Sequence, residues 1–235
     1  CSLEHFNGSG YPGGVSASVV AMLRRQLREK FPQACGDAVA MGTGGGAAGA
    51  AVGGQVAGAW GGQLEFPAGV LTEVTGVGAG WVVAVLLEEA ENEPGVPELV
   101  LVDGADGFDP ASFSARVCAR LLWVRCRKSA LEMVKAADWV VRDGNVPQVV
   151  VDATGLDRRE LAQVPASAWW RLRQGAERSG CRLVVVAAAR LVPAAGRRWR
   201  TTAAWGLDDL TANRRELLAR LRVTTEATGQ IAAGS

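Results

Sequence analysis

Short apolar runs recur at regular intervals from residue 70 onward, separated by longer stretches in which apolar and polar residues are mixed. Each run is rich in Val and Leu and lacks the strict alternation of a half-exposed strand. This pattern is typical of parallel strands that are buried on both faces of a sheet. The runs predict strands at Val70–Thr75, Leu99–Asp103, Leu121–Arg125, Gln148–Asp152 and Leu183–Ala188.

The stretches between these runs predict helices. Strands and helices therefore alternate, which predicts an α/β fold: a doubly wound, mainly parallel sheet with helices on both faces. After Pro193 the pattern is ambiguous, because the alternation from Ala219 to Val223 favours a strand whereas Asn213–Arg222 also fits a helix. The predicted helices are Val82–Ala90, Ser112–Ala119, Ser129–Asp143 and one that ends at Ser179 and begins at Arg158 or Ala168.

The N-terminal region differs in composition from the part that carries the apolar runs. Residues 1–14 are glycine-rich and 42–62 are almost entirely Gly and Ala. Neither segment can bury enough side-chain surface to become ordered by itself. Residues 15–33 predict an amphipathic helix, capped by Ser16 or Ser18, that packs on the domain or docks on a partner. The predicted organisation is a flexible tail (1–14), the helix (15–33), a Gly/Ala-rich linker (34–60), a core domain (61–225) and a flexible tail (226–235).

Charge and cysteine content exclude several classes of protein. The chain carries 25 basic and 24 acidic residues, so no global field attracts it to nucleic acid or membrane, and such binding requires a local patch. Five cysteines without a C-x-x-C pair argue against a disulfide framework and a zinc site. We expect a cytoplasmic protein that binds neither a metal nor a membrane. Because the chain begins at Cys1 rather than Met, we also expect a fragment or a processed product.

The turn after the first predicted strand has the position of a phosphate-binding loop but lacks its chemistry. A glycine-rich turn between a strand and a helix binds anions, because its backbone N–H groups point at the ligand. A working P-loop reads G-x-x-x-x-G-K-[ST], with the lysine on the β- and γ-phosphates and the hydroxyl on magnesium. Here Trp81 and Val82 occupy the lysine and hydroxyl positions, and the spacing of the glycines is one residue short. The glycines are Gly76, Gly78 and Gly80, and the sequence predicts a degenerate nucleotide site.

Five segments follow one another in a recognisable order and spacing: Gly61–Gly76, Leu101–Pro110, Leu121–Leu122 with Ala130–Glu132, Gly144–Asp152 and Leu183–Val186. Taken together they resemble the RecA-like recombinase core. They are similar in turn to that family's glycine-rich lead-in and first core strand, its second strand with an acidic turn, its third strand and helix, its magnesium-side strand and the strand that follows. The resemblance covers Gly61 to Ala188 and implies a RecA-like fold.

The resemblance also implies that most of the family's active site is missing. Besides the lost lysine and hydroxyl, Ala105 aligns with the catalytic glutamate and leaves Asp106 as the neighbouring carboxylate. Ala187–Ala189 stand where the family has a polar sensor residue, and only Asp152 keeps the expected type. Without the lysine and the hydroxyl, no group neutralises the charge of a transferring phosphoryl group, and one carboxylate cannot run the reaction. We therefore expect Asp106 and Asp152 to be vestigial and ATP turnover to be negligible.

This loss of catalytic residues is similar to that in the RecA-related accessory proteins of bacterial damage-induced mutagenesis, the ImuA and SulA-like group. The stretch Arg197–Arg200 resembles an Arg-Trp element of that group. The resemblance implies a non-catalytic or weakly nucleotide-binding accessory protein that binds a protein partner in a translesion polymerase assembly. It implies no resident cofactor.

A basic stretch near the C-terminal end combines positive charge with an aromatic ring. This combination is typical of contacts with single-stranded DNA, where arginines bind phosphates and a ring stacks on bases. The alternative is a surface loop that pairs with nearby acids such as Asp208 and Asp209. The candidate contact residues for DNA or a partner are Arg190, Arg197, Arg198, Trp199 and Arg200.

Two enzyme or cofactor-binding alternatives remain open. The first is a DNA-dependent, recombinase-like ATPase with an atypical P-loop, which would use ATP and Mg²⁺ and take a cationic residue from a neighbouring subunit. The second is a Rossmann-type dinucleotide-binding protein, because Gly76-x-Gly78 begins that fingerprint and Asp103 lies where a ribose-binding acid would. The third glycine of that fingerprint is replaced by Trp81. The candidate donors for the first alternative are Arg127, Lys128 and Arg190.

The acidic residues that follow the strands have two interpretations each. Asp103, Asp106 and Asp109 either hold a cation or form a solvated turn, and we favour the turn. Asp152 is either a vestigial metal ligand or a surface acid that caps a helix, and we favour capping.

Tryptophan is unusually frequent in this chain, with eight residues. Trp169 and Trp170 are adjacent on a predicted helix and cannot both face the core, so one is exposed or covered by a partner. Trp60 and Trp81 are candidates to fill the space that a nucleotide would occupy.

Overall fold

The computed structural model describes residues 2–5, 55–56, 64–92 and 99–226. The amphipathic helix predicted at 15–33 lies outside these residues, as does most of the predicted N-terminal tail, linker and C-terminal tail. Among the helices in the described ranges, none has the length and apolar character that crossing a bilayer requires.

Strands and helices alternate through most of the described chain. The helices are α1 (Trp81–Asn92), α2 (Ala115–Ala119), α3 (Ala130–Asp143), α4 (Arg158–Leu161), α5 (Ala166–Ser179) and α6 (Arg214–Ala219), with 3₁₀ turns at Pro110–Ser112 and Leu207–Thr211. The strands are β1 (Ser2–His5), β2 (Gln55–Val56), β3 (Leu64–Glu65), β4 (Leu71–Gly76), β5 (Leu99–Asp103), β6 (Leu121–Arg125), β7 (Gln148–Asp152), β8 (Arg182–Ala187), β9 (Arg197–Thr202) and β10 (Arg222–Thr225).

Eight of the described strands form one sheet in the order β1-β6-β5-β7-β8-β4-β9-β10. The six central strands pair in parallel, and only the edge strands β1 and β10 pair antiparallel. The carboxyl ends of the parallel strands therefore lie along one edge, called the carboxyl edge below. The predicted α/β fold, a doubly wound and mainly parallel sheet, is confirmed.

Each face of the sheet carries its own hydrophobic core. On one face α3 and α5 cover the strands, and Trp169 and Leu172 of α5 are buried there. On the other face α1 packs with Leu218 and Leu221 from the C-terminal part. Trp170 remains 43% exposed while Trp169 is buried, which confirms that the two tryptophans do not both face the core.

Local sequence signals fix where the long helices begin and end. Ser129 caps α3, since its Oγ accepts a hydrogen bond from the amide of Glu132 at 3.3 Å. Gly144 (φ 72°) and Gly180 (φ 69°) end α3 and α5 in the left-handed conformation that glycine adopts without a steric penalty.

The structure differs from the sequence-based expectation in three places. Residues 2–5, expected within a flexible tail, form β1 on the edge of the sheet, and residues 55–56, expected within the linker, pair with β3. The basic stretch Arg197–Arg200, expected in an exposed loop, belongs to the strand β9 and lies beside β4. The ambiguous C-terminal region contains both predicted elements, because α6 is followed by the strand β10.

Candidate functional site

The glycine turn after β4 is tightly packed against the C-terminal part of the chain. Gly76 has a φ of 106°, and a Cβ there would collide with the backbone carbonyl of Thr201. Gly78 has a φ of 76°, and its Cβ would lie 2.6 Å from the ring of Trp205 and 2.8 Å from Leu221. Glycine is required at both positions by conformation and by close approach.

Several backbone amides of this turn and of the start of α1 already donate to carbonyls inside the turn. Four of them donate to the carbonyl three residues earlier, at 3.0–3.3 Å. In an anion-binding loop such amides point at the ligand. A phosphate at this turn would have to compete with the carbonyls for the same hydrogens. The four amides are those of Ala79, Trp81, Val82 and Val83.

Trp81 and Val82 have different environments, and neither supplies charge or a hydroxyl. Trp81 is half-buried and packs edge-to-face on Trp205, with ring centroids 5.9 Å apart and an interplanar angle of 64°. Val82 is fully buried in the core under α1. Trp60, the other candidate to fill a nucleotide site, lies outside the described residues.

A cleft of about 500 Å³ opens beside the turn at the carboxyl edge. Its walls come from the glycine turn and α1, the loop after β5, the end of β7, and two residues from the C-terminal part. Four aromatic rings and three carboxylates are among the lining groups. They belong to Trp81, Phe108, Phe113 and Trp205, and to Asp103, Asp109 and Asp152, with Arg214 as the cation among the described lining residues.

Asp103 is a buried carboxylate that organises the loop after β5. Its Oδ1 accepts from the amides of Ala105 and Gly107 at 3.2 and 3.1 Å, and its Oδ2 accepts from the amide of Phe108 at 2.9 Å and from Nε1 of Trp123 at 3.1 Å. Four donors occupy both oxygens, so a ribose hydroxyl would have to displace one of them. This geometry argues against the Rossmann-type alternative.

Asp152 lies directly opposite Asp103, in register across β7 and β5. Its Oδ1 accepts from the amide of Thr154 at 2.9 Å and from Oγ1 of Thr154 at 2.6 Å. Burial raises the pKa of Asp152; the Thr154 hydrogen bonds lower it, and the charge of Asp103 raises it further. The expectation of a surface acid that caps a helix was wrong, because the carboxylate is largely buried and Asp157 caps the next helix, α4.

The other two acids after β5 are each engaged locally. Asp106, with a φ of 60°, pairs with Arg125 at 3.5 Å. Asp109 caps the following 3₁₀ turn, since it accepts from the amide of Ala111 and from Oγ of Ser112. Across the described ranges there is no group of three or more potential metal-ligating side chains. The turn interpretation of this acidic cluster therefore fits the geometry.

Two of the predicted contact residues in the basic stretch are buried. Arg198 is 3% exposed and pairs with Glu73, and Trp199 is 7% exposed. This corrects the expectation that both contact DNA or a partner: consecutive residues of a strand point to opposite faces of the sheet, and β9 is covered on both faces at these positions. Arg197 pairs with Glu65 at 2.9 Å and Arg200 pairs with Glu226 at 3.3 Å, both at the surface. Arg190 is exposed, in the loop after β8.

Trp205 and Arg214 are among the cleft residues that sequence reasoning missed. Arg214 is the first residue of α6, and the capping box formed by Asn213 and Glu216 was a signal that could have located this helix start. No pattern around Trp205 marks it as a partner of the glycine turn, since its packing depends on tertiary structure alone.

The comparisons with known proteins find similar solved structures but no matching family. No protein-family model matches this chain, and no curated protein matches it. Among solved structures the chain is similar to the crystal structure of the RadB recombinase, with a TM-score of 0.46 and 18% sequence identity over 60% of this chain and 78% of that chain. A similarity at this level assigns neither a family nor an activity.

Proposed function

We propose that this chain is a non-catalytic accessory protein with a RecA-like core that acts by binding a protein partner in DNA repair or translesion mutagenesis. The order of strands and helices along the chain, with the glycine turn between β4 and α1, supports the core assignment. Site geometry supports the absence of catalysis. The process and the type of partner rest on the resemblance of the sequence to the ImuA and SulA-like group.

One observation carries the non-catalytic assignment: four amides that a phosphate-binding turn would offer to its ligand already have carbonyl partners. They are the amides of Ala79, Trp81, Val82 and Val83, which donate to carbonyls within the glycine turn. An indole replaces the ammonium that would neutralise the β- and γ-phosphates, and the adjacent carboxylates Asp103 and Asp152 repel a triphosphate.

Single-stranded DNA is the second binding partner that we propose. Exposed basic residues follow three strands along the carboxyl edge: Arg127 and Lys128 after β6, Arg158 and Arg159 after β7, and Arg190 after β8. A row of cations on one edge supplies phosphate contacts even though the whole chain is nearly neutral.

An atypical ATPase is the alternative, and one observation favours it. Arg127 and Lys128 have φ values of 49° and 66°, a left-handed conformation that is strained for residues other than glycine. Such strain is concentrated at functional sites. In this alternative the two exposed cations act on a nucleotide bound by a neighbouring copy.

Steady-state ATP hydrolysis, measured with and without single-stranded DNA, separates the two functions. The accessory function predicts no turnover above the protein-free background, and identical traces for the wild-type protein and Asp152→Asn. DNA-stimulated turnover that disappears in Asp152→Asn would establish the ATPase instead.

A further inference from the structure

The aromatic and acidic cleft beside the glycine turn has the chemistry of a cation site. Its carboxylates are those of Asp103, Asp109 and Asp152, whereas Arg214 is already neutralised by Glu88 at 3.0 Å. The lining is therefore negative in sum. An anion is disfavoured here both by this charge and by the occupied amides of the turn.

Oδ2 of Asp152 accepts no hydrogen bond from the described residues, since both hydrogen bonds from Thr154 go to Oδ1. The side chain lines the cleft, and Oδ2 is not among the enclosed polar atoms that lack a hydrogen-bond partner. This oxygen is therefore open to a ligand in the cleft, and a cationic ligand would make a charge-assisted hydrogen bond with it.

One guanidinium, that of Arg214, is already bound at the wall of the cleft. Arg214 stacks over the ring of Phe113, with its Cζ 4.2 Å from the ring centroid, and also donates to the carbonyl of Ser112 at 2.6 Å. Ring face, carboxylate and carbonyl oxygen are the three groups that bind arginine. Trp81 and Trp205 contribute further aromatic surface to the lining of the cleft.

Exposed apolar residues beside the cleft favour a protein as the source of the cation. Val77, within the glycine turn, is 59% exposed, and Leu207, two residues after Trp205, is 86% exposed. Exposed apolar side chains around a polar site are typical of a protein interface and contribute little to binding a small free cation.

We propose that this cleft binds an arginine side chain of the partner protein, with its guanidinium on Oδ2 of Asp152 and between the rings of the cleft. This inference rests on the proposed function and names the chemistry of its partner. Asp152 thus becomes a recognition residue in place of a magnesium ligand.

The probe is the peptide acetyl-Gly-Gly-Arg-Gly-Gly amide, titrated into the ¹⁵N-tryptophan-labelled full chain. The expected result is saturable shifts of the indole N–H signals of Trp81 and Trp205, and no shifts with the same peptide carrying citrulline, the neutral analogue of arginine. Equal shifts with citrulline, or shifts confined to other indoles, would overturn the proposal. Shifts with spermidine and none with the arginine peptide would also overturn it, in favour of a free polyamine site.

Two variants and a control test the assignment of Asp152. Asp152→Asn should weaken peptide binding at least about tenfold, since it removes a charge-assisted bond. Ala105→Lys adds an ammonium group to the cleft and leaves residue 152 unchanged. It should abolish peptide binding by competing for the cleft, and it tests the proposal even if Asp152→Asn folds poorly. Asp143→Asn makes the same charge change at the end of α3, on the opposite edge, and should leave the affinity unchanged. Equal peptide affinities in Asp152→Asn and Asp143→Asn would refute the proposal. The proposed non-catalytic function would still stand, because ATP hydrolysis tests it separately.

Discussion

Arg198 lies in register with Glu73 on the adjacent parallel strand, and its Nε donates to Oε2 of Glu73 at 2.8 Å. Both side chains are buried, and Oε1 of Glu73 accepts from the amides of Leu191 and Val192 at 2.6 and 2.7 Å. Arg198 also donates to the carbonyl of Val192. This buried ion pair therefore joins β4, β9 and the loop after β8, and it explains why an arginine in a basic stretch is structural.

We predict that Glu73→Gln destabilises the protein by about 3–5 kcal/mol, because it leaves the charge of Arg198 buried without a counter-ion. The free energy of unfolding in urea measures this effect. Arg197→Gln, next to Arg198 in β9, is the control, since the pair of Arg197 with Glu65 is partly exposed and should contribute at most about 1 kcal/mol. Equal losses in the two variants would show that the Glu73–Arg198 pair is not the structural link described here.

A second prediction concerns the glycine turn. Gly76→Ala should destabilise the fold by more than about 2 kcal/mol, because it adds a collision with the carbonyl of Thr201 to an unfavourable positive φ. Gly180→Ala is the control, as that position has a similar positive φ but open space around it, and should cost only about 1 kcal/mol. Thermal or urea denaturation measures the loss of stability in each variant. Equal losses would show that the turn at Gly76 is not tightly packed against Thr201.

The raised pKa of Asp152 predicts a pH-dependent contribution to stability. Between the ordinary value of 3.8 and the higher folded value, the native state binds more protons than the unfolded state, so stability falls as pH rises through this window. The free energy of unfolding of the wild-type protein minus that of Asp152→Asn should therefore decrease as pH rises from about 3.8. An increase over the same window would mean that the Thr154 hydrogen bonds outweigh burial.

Binding of single-stranded DNA should depend on the basic residues of the carboxyl edge. The double variant Arg158→Gln/Arg159→Gln should reduce affinity and lower the slope of log K against log salt by about 1.4, since each lost phosphate contact removes about 0.7. Arg142→Gln/Arg178→Gln removes two exposed cations from the opposite edge and should leave both quantities unchanged. Fluorescence anisotropy with a labelled oligonucleotide measures both, and equal effects in the two double variants would place the DNA elsewhere.

Much of the fold could be predicted because its determinants are local. The buried strands are apolar runs whose bounds, as at Gln148–Asp152, match the sequence pattern, and capping residues such as Ser129 mark helix ends. β9 could not be predicted, because a stretch of arginines predicts an exposed segment. Only the tertiary structure shows that Glu73 lies beside Arg198 on the adjacent strand. The cleft could not be predicted either, because Trp205 and Arg214 reach it only through tertiary packing.

The proposed non-catalytic function depends most on a glycine turn that does not bind phosphate. Titration of Mg·ATP into the ¹⁵N-labelled protein, observed at the backbone amides of Ala79, Trp81 and Val82 and at the indole of Trp81, tests this directly. We predict no saturable shift of these signals at millimolar nucleotide. Saturable shifts at micromolar nucleotide would contradict the account, because they would show these amides leaving their carbonyl partners to bind phosphate.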